Sequence, residues 1–182
     1  MPENMAKDRP ANPPKLHHTT FTTLRMKEMV AWYGLVCGLQ PVFQSDEASW
    51  LTNDEANHRI ALLSPPGLKH PTDKSHETGI HHTAFEFETF DMWINNYIRL
   101  RDKGILPFLK LDHGITMSIY YQDPDGNGVE IQVDGFGENS LGAGRVSAVP
   151  MDEVAERTVV KQIGNNAQTS GPPRRQPPPT RS

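Results

Sequence analysis

The chain holds one cysteine, Cys37, among its 182 residues. A lone thiol excludes an internal disulfide framework and a cysteine-rich zinc site, and it suits a reducing, cytoplasmic setting. No run approaches the ~18 consecutive apolar residues that cross a bilayer, so no membrane span is expected. The first fourteen residues have no apolar h-region, so no secretory signal is expected either. Positive charge is not in excess: the net charge is −4 and the pI is near 6.0. That balance argues against electrostatic binding to nucleic acid.

Proline and histidine, by contrast, are plentiful, with sixteen and eight copies. Pro2, Pro10, Pro13 and Pro14 lie at one end; Pro172, Pro173, Pro177, Pro178 and Pro179 lie at the other. From Gly164 onward there is no aromatic and no large aliphatic residue. Such segments bury too little apolar area to offset their ordering entropy. Residues 1–14 therefore read as a disordered N-terminal segment and 135–182 as a largely disordered C-terminal extension. Asp152 to Val160 is the one stretch there with some helical character. Arg174, Arg175 and Arg181 read as solvated charge. The folded part is 15–134, about 120 residues, enough for one compact core.

All the histidines fall within that part, and they expose a repeat. His17-His18-Thr19-Thr20-Phe21 matches His81-His82-Thr83-Ala84-Phe85. Both read as strands by their period-two alternation. A helical stretch follows each. Arg25 to Cys37 carries Met26, Met29, Val30 and Tyr33; Asp91 to Asp102 carries Ile94, Tyr97 and Ile98. Gly38 and Gly104 supply the C-terminal stops. Three further strands are expected in each half: Pro41–Gln44, Ala48–Thr52 and His58–Leu63, then Pro107–Leu111, Thr116–Tyr121 and Gly128–Val133. Asp123-Pro124-Asp125-Gly126-Asn127 is a tight turn. The unit is βαβββ, twice, in modules 15–64 and 80–134 joined by a proline-rich linker. The expected fold is α+β, with paired modules forming one pseudo-symmetric, concave mixed β-sheet domain.

This doubled unit, with strands opening His-x-x-Phe, resembles the vicinal oxygen chelate superfamily of glyoxalases, bleomycin resistance proteins and type I extradiol dioxygenases. Several motifs resemble the one-domain extradiol dioxygenases that open biphenyl-2,3-diol-like catechols. They are Thr83-Ala84-Phe85-Glu86-Phe87, Tyr97-x-Arg99-Leu100, His113-Gly114-Ile115-Thr116, and Tyr120-Tyr121-x-Asp123-Pro124-Asp125-Gly126-Asn127-x-Val129-Glu130. The resemblance implies metal ligands at His18, His82 and Glu130. It implies an acid–base histidine at His58, from His58-Arg59-Ile60-Ala61-Leu62. It also implies a substrate hydrogen-bond donor at Tyr120 and a substrate-orienting histidine at His113. Strand alternation would turn His17 and His81 away from the site and Tyr121 to the opposite face.

Two imidazoles and one carboxylate leave open positions at a non-haem Fe(II) ion, with Mn, Ni or Zn as alternatives. A catechol and O2 would be the small-molecule partners. A histidine near its reference pKa of ~6.5 suits moving the second catechol proton. Two other functions stay open on the same fold: a glyoxalase-like isomerase or lyase using Ni or Zn, and a non-catalytic binding protein. The bland readings are satisfied core histidines at His18 and His82, a surface histidine at His58 and a core tyrosine at Tyr120. His70 and His76 fall in the linker, which could close over a site. Trp32, Trp50 and Trp93 read as core or interface, and Cys37 as a small buried hydrophobe. A homo-oligomer is also open. One departure stands out: Phe136 is the last aromatic residue, whereas relatives of this type carry aromatics beyond the last strand.

Overall fold

The computed structural model describes residues 12–134, apart from 75, 77, 114 and 115, together with 149–150. Apart from 149–150, the expected C-terminal extension lies outside the described residues, as do its helical stretch and most of the N-terminal segment. Two βαβββ units follow one another. The first holds β1 (Thr19–Thr22), α1 (Met26–Cys37), β2 (Gln40–Gln44), β3 (Ala48–Thr52) and β4 (Ile60–Leu63). The second holds β5 (His82–Phe87), α2 (Phe90–Asp102), β6 (Leu109–Asp112), β7 (Thr116–Gln122) and β8 (Gly128–Asp134). A short β9 (Val149–Pro150) pairs antiparallel with β6.

The helices follow from their apolar spacing. Met26, Met29, Tyr33 and Val36 recur every three or four residues and form the buried stripe of α1. Gly38 ends that helix at φ 70°, and its N–H caps the Tyr33 carbonyl. Thr89 opens α2 by accepting the Met92 N–H, and Trp93, Ile94, Tyr97 and Leu100 point inward. Arg99 donates to the Leu35 carbonyl at 2.6 Å, and Asn96 to the Val36 carbonyl at 3.4 Å. Side chains of α2 thus satisfy orphan carbonyls at the end of α1.

In each unit the last strand returns beside the first and parallel to it, β4 on β1 and β8 on β5. The ladders close as two mixed sheets, ordered β1-β4-β3-β2 and β5-β8-β7-β6-β9. The two strands that open with the histidine pairs, β1 and β5, are therefore both sheet edges. Side-chain packing nevertheless makes one core, with Tyr33, Leu51 and Leu62 joining Trp93, Leu100 and Ile131. β4 starts at Ile60 and leaves His58 ahead of the ladder; β6 starts at Leu109, past Pro107, which has no N–H to donate. No helix among the described residues is long and apolar enough to cross a membrane.

Pleating sends Tyr120 and Tyr121 to opposite faces of β7. Tyr121 is 2 % exposed and lies in the core. Its hydroxyl has no hydrogen-bond partner among the described residues, and burial pushes its pKa up. A buried hydroxyl without a partner costs about 1–3 kcal/mol. Tyr121→Phe is therefore expected to leave the thermal midpoint unchanged or raise it. A clear fall in calorimetry would mean that the hydroxyl is satisfied.

Candidate metal centre

The second unit assembles four of the expected site residues in one connected chain. β7 and β8 pair Tyr120 directly with Glu130, and β5 and β8 pair Ala84 with Glu130. His82 lies two residues before Ala84, so it shares the face of Glu130. The His82 Nε2 is 2.8 Å from Glu130 Oε2. The Tyr120 hydroxyl donates to Glu130 Oε1 at 2.9 Å. His113, just beyond β6, places Nε2 at 2.9 Å from the same hydroxyl. The sequence had tied His113 to this group only through spacing; the fold brings it into contact.

The bonding order fixes the proton positions. Tyr120 gives its one proton to Glu130, so the His113 Nε2 must carry the hydrogen of the next bond. Burial, then the Glu130 hydrogen bond and its charge, push the Tyr120 pKa up. Tyr120 is thus held as a protonated donor beside a carboxylate. The His82 Nδ1 lies 2.8 Å from His81 Nδ1. A metal on His82 Nε2 would leave the proton on Nδ1, where His81 could accept it and fix the ring. His81 therefore does not turn away as alternation suggests. It precedes the first ladder residue of β5, where pleating does not yet govern direction.

His82 and Glu130 converge on each other as neutral-nitrogen and carboxylate-oxygen donors, a pair suited to a divalent transition metal. Gly128 permits that convergence. A Cβ there would lie 2.5 Å from the His81 carbonyl oxygen and 3.1 Å from the His82 Cβ. Gly128→Ala is expected to push β5 from β8 and pull His82 from Glu130. Metal affinity should fall by at least the ~10–100-fold seen when a ligand's support is lost. Titration of the metal-free variant would check this; wild-type affinity would show that the strands can absorb the methyl.

The first unit holds a separate histidine group. One ligand atom each of His17, His18 and His58 lies within 4.8 Å of the others. The His18 and His58 ring centres are 4.2 Å apart. His18 does not join His82 and Glu130 in any comparably close group of donors. The expected triad is therefore divided, with His18 and His58 in one cluster and His82, Glu130, Tyr120 and His113 in the other. His17 also joins His18, Nδ1 to Nδ1 at 3.1 Å, because both precede β1.

A cavity of about 840 Å³ opens beside His82 and Tyr120. Thr20, Phe21 and Thr22 of β1 line it, as do His81 and His82 at the start of β5. His18 stands just ahead of β1 and is not among the residues lining this cavity. The linker supplies another wall through Pro71 and Lys74, and Ile80, just after it, adds to that wall. Lys74 anchors it by donating to Asn127 Oδ1 at 2.6 Å. Ile80, 71 % exposed, and Phe108, 57 % exposed, add apolar surface to an otherwise mixed lining.

The family profile described as glyoxalase/bleomycin resistance protein/dioxygenase superfamily matches residues 15–131. Biphenyl-2,3-diol 1,2-dioxygenase 3 from Rhodococcus globerulus is 44 % identical over 123 residues, 68 % of this chain and 65 % of that protein. Biphenyl-2,3-diol 1,2-dioxygenase 2 from the same organism is 41 % identical over 123 residues, 68 % of this chain and 64 % of its own length. The matched stretch thus spans just under two thirds of each relative. A glyoxylase/bleomycin resistance protein/dioxygenase domain from Frankia sp. EAN1pec superposes with a TM-score of 0.57. Its sequence identity is 15 %, over 68 % of this chain and 100 % of that one. This last likeness concerns the fold alone.

Proposed function

Since the chain belongs to the glyoxalase/bleomycin resistance protein/dioxygenase superfamily, we propose that it is an Fe(II)-dependent extradiol dioxygenase acting on a biphenyl-2,3-diol-like catechol. The observation that carries this reading is the continuous His82–Glu130–Tyr120–His113 contact chain beside a cavity large enough for a two-ring diol. The names of the Rhodococcus globerulus relatives support the substrate class. His82, Glu130 and His18 would hold the metal. Fe(II), when bound, would supply the coupling of electrons between a catechol and O2.

The remaining steps belong to side chains. Glu130 offsets part of the metal's charge in a buried setting. With Glu130 turned to the metal, the protonated Tyr120 hydroxyl would redirect its one hydrogen from that carboxylate to a substrate oxygen. His113 supports that tyrosine from the far side and fixes its orientation. His58 takes the second catechol proton and returns it to the product oxygen. The exposed apolar side chains of Ile80 and Phe108 on the cavity lining would favour the second ring.

A homo-oligomer would complete the set. His18 and His58 are adjacent, so a second copy that delivers one delivers both. Mixing His18→Ala with His82→Ala chains tests this. A two-fold dimer with shared sites recovers about a quarter of wild-type activity after subunit exchange, because half the dimers carry one intact site. No recovery would place the whole triad within one chain. The reaction itself is tested by loading Fe(II) without air, then adding air and 2,3-dihydroxybiphenyl. A yellow ring-opened product is expected. Absence of product from any catechol, with consumption of a methylglyoxal–glutathione adduct, would instead favour a glyoxalase-like isomerase. Catechol binding without turnover of either would indicate a binding protein.

A further inference from the structure

His17, His18 and His58 form a group of donors that needs no residue of the second unit. Their ring centres lie 4.2 Å (His18–His58), 5.3 Å (His17–His18) and 5.4 Å (His17–His58) apart. Ligand atoms within 4.8 Å of one another are close to the ~3.3 Å spacing that three nitrogens adopt around an ion at ~2.0–2.1 Å. His17 and His18 are exposed and His58 half-buried, so rotation of the side chains can close that gap.

We propose that these three histidines are a second metal site of their own, selective for imidazole-preferring divalent ions. Three neutral nitrogens without a carboxylate suit Zn2+, Ni2+ or Cu2+ and disfavour Mg2+, Ca2+ and Mn2+. Solvent or a small anion fills the remaining position. His17 belongs to this site alone, whereas His18 and His58 also serve the catalytic reading. Occupancy by Zn2+ therefore withholds both from catalysis, and the site acts as an inhibitory one. That consequence rests on the dioxygenase reading; the metal site does not.

The test uses a chain without the other donors, His82→Ala/Glu130→Ala, titrated metal-free with Zn2+ by calorimetry and with Co2+ by visible absorption. One ion per chain is expected. Adding His17→Ala should weaken binding at least tenfold, and His17→Gln should do the same with an unchanged thermal midpoint. His70→Ala, in the linker, should leave it unaltered. Absence of Zn2+ binding, or equal binding with and without His17, overturns the proposal. Should the double variant unfold, the same comparison of His17→Ala with His70→Ala is made in the intact chain. There a loss of Zn2+ sensitivity confined to His17→Ala supports the site, and equal sensitivity overturns it. In the iron-loaded protein, Zn2+ should slow ring opening, and His17→Ala should need at least tenfold more Zn2+ for the same slowing. A protein that opens no catechol yet binds Zn2+ through His17 would refute the dioxygenase reading alone.

Discussion

Glu130→Ala is expected to abolish Fe(II) retention and reduce ring opening to background. Glu130 is the one anionic donor of the proposed set. Without it the ion faces neutral imidazoles and keeps its full charge in a partly apolar setting. The fall in affinity should exceed the ~10–100-fold attached to losing an outer partner of a ligand. The variant also strands two donors, since both the Tyr120 hydroxyl and the His82 Nε2 address this carboxylate. The buried Tyr120 hydroxyl costs roughly 1–3 kcal/mol when stranded, whereas His82, 32 % exposed, can turn to water, so some stability goes with the metal. Glu130→Gln separates the effects. Its amide keeps the shape and a carbonyl acceptor for Tyr120, so the thermal midpoint should stay closer to wild type while iron is still lost. Wild-type iron affinity in the glutamine variant would remove Glu130 from the donor set.

What was legible in the sequence was what short-range periodicity encodes. Met26, Met29 and Tyr33 announced α1, and Ile94 and Tyr97 announced α2; both helices appear within a residue of the expected limits. The ten-residue step from Tyr120 to Glu130 became a direct cross-strand pair because the turn between β7 and β8 fixes the register. Residues lying just outside the ladders were harder to place. His17 and His81 were assigned by alternation, yet each stands one step or more before its strand begins, where no pleat dictates direction. The division of His18 from His82 was hidden for another reason. Pseudo-equivalent positions in two repeats reveal equal local roles, but they do not state how the repeats are arranged. That arrangement depends on contacts far apart in sequence, such as Tyr33 with Phe85 and Tyr33 with Asp123.

The second large effect is expected at Asp123, which the sequence marks only as a turn residue. The structure makes it a joint between the two units. Its carboxylate accepts the N–H of Asp125 at 3.0 Å, the N–H and the Nδ2 of Asn127 at 2.8 and 2.7 Å, and the Tyr33 hydroxyl at 3.2 Å. The residue is 4 % exposed. Asp123→Ala leaves all of these donors behind, and breaking such a buried network costs roughly 3–5 kcal/mol. For a folded part of about 120 residues this lowers the thermal midpoint by roughly 10–20 °C. Tyr33→Phe removes a single bond and should cost only about 1 kcal/mol. The pH dependence gives a sharper criterion. Burial raises the Asp123 carboxyl above its ordinary value of 3.8, although its hydrogen bonds pull the other way. A raised native pKa means the folded state holds the proton more tightly. That contribution is full below the unfolded pKa and declines as pH rises through the native one. Asparagine carries no such slope. The stability penalty of Asp123→Asn, measured by urea unfolding from pH 3.5 upward, should therefore shrink as pH increases. A penalty that grows with pH would mean that the hydrogen bonds, rather than burial, govern this carboxylate, and its native pKa would then lie below 3.8.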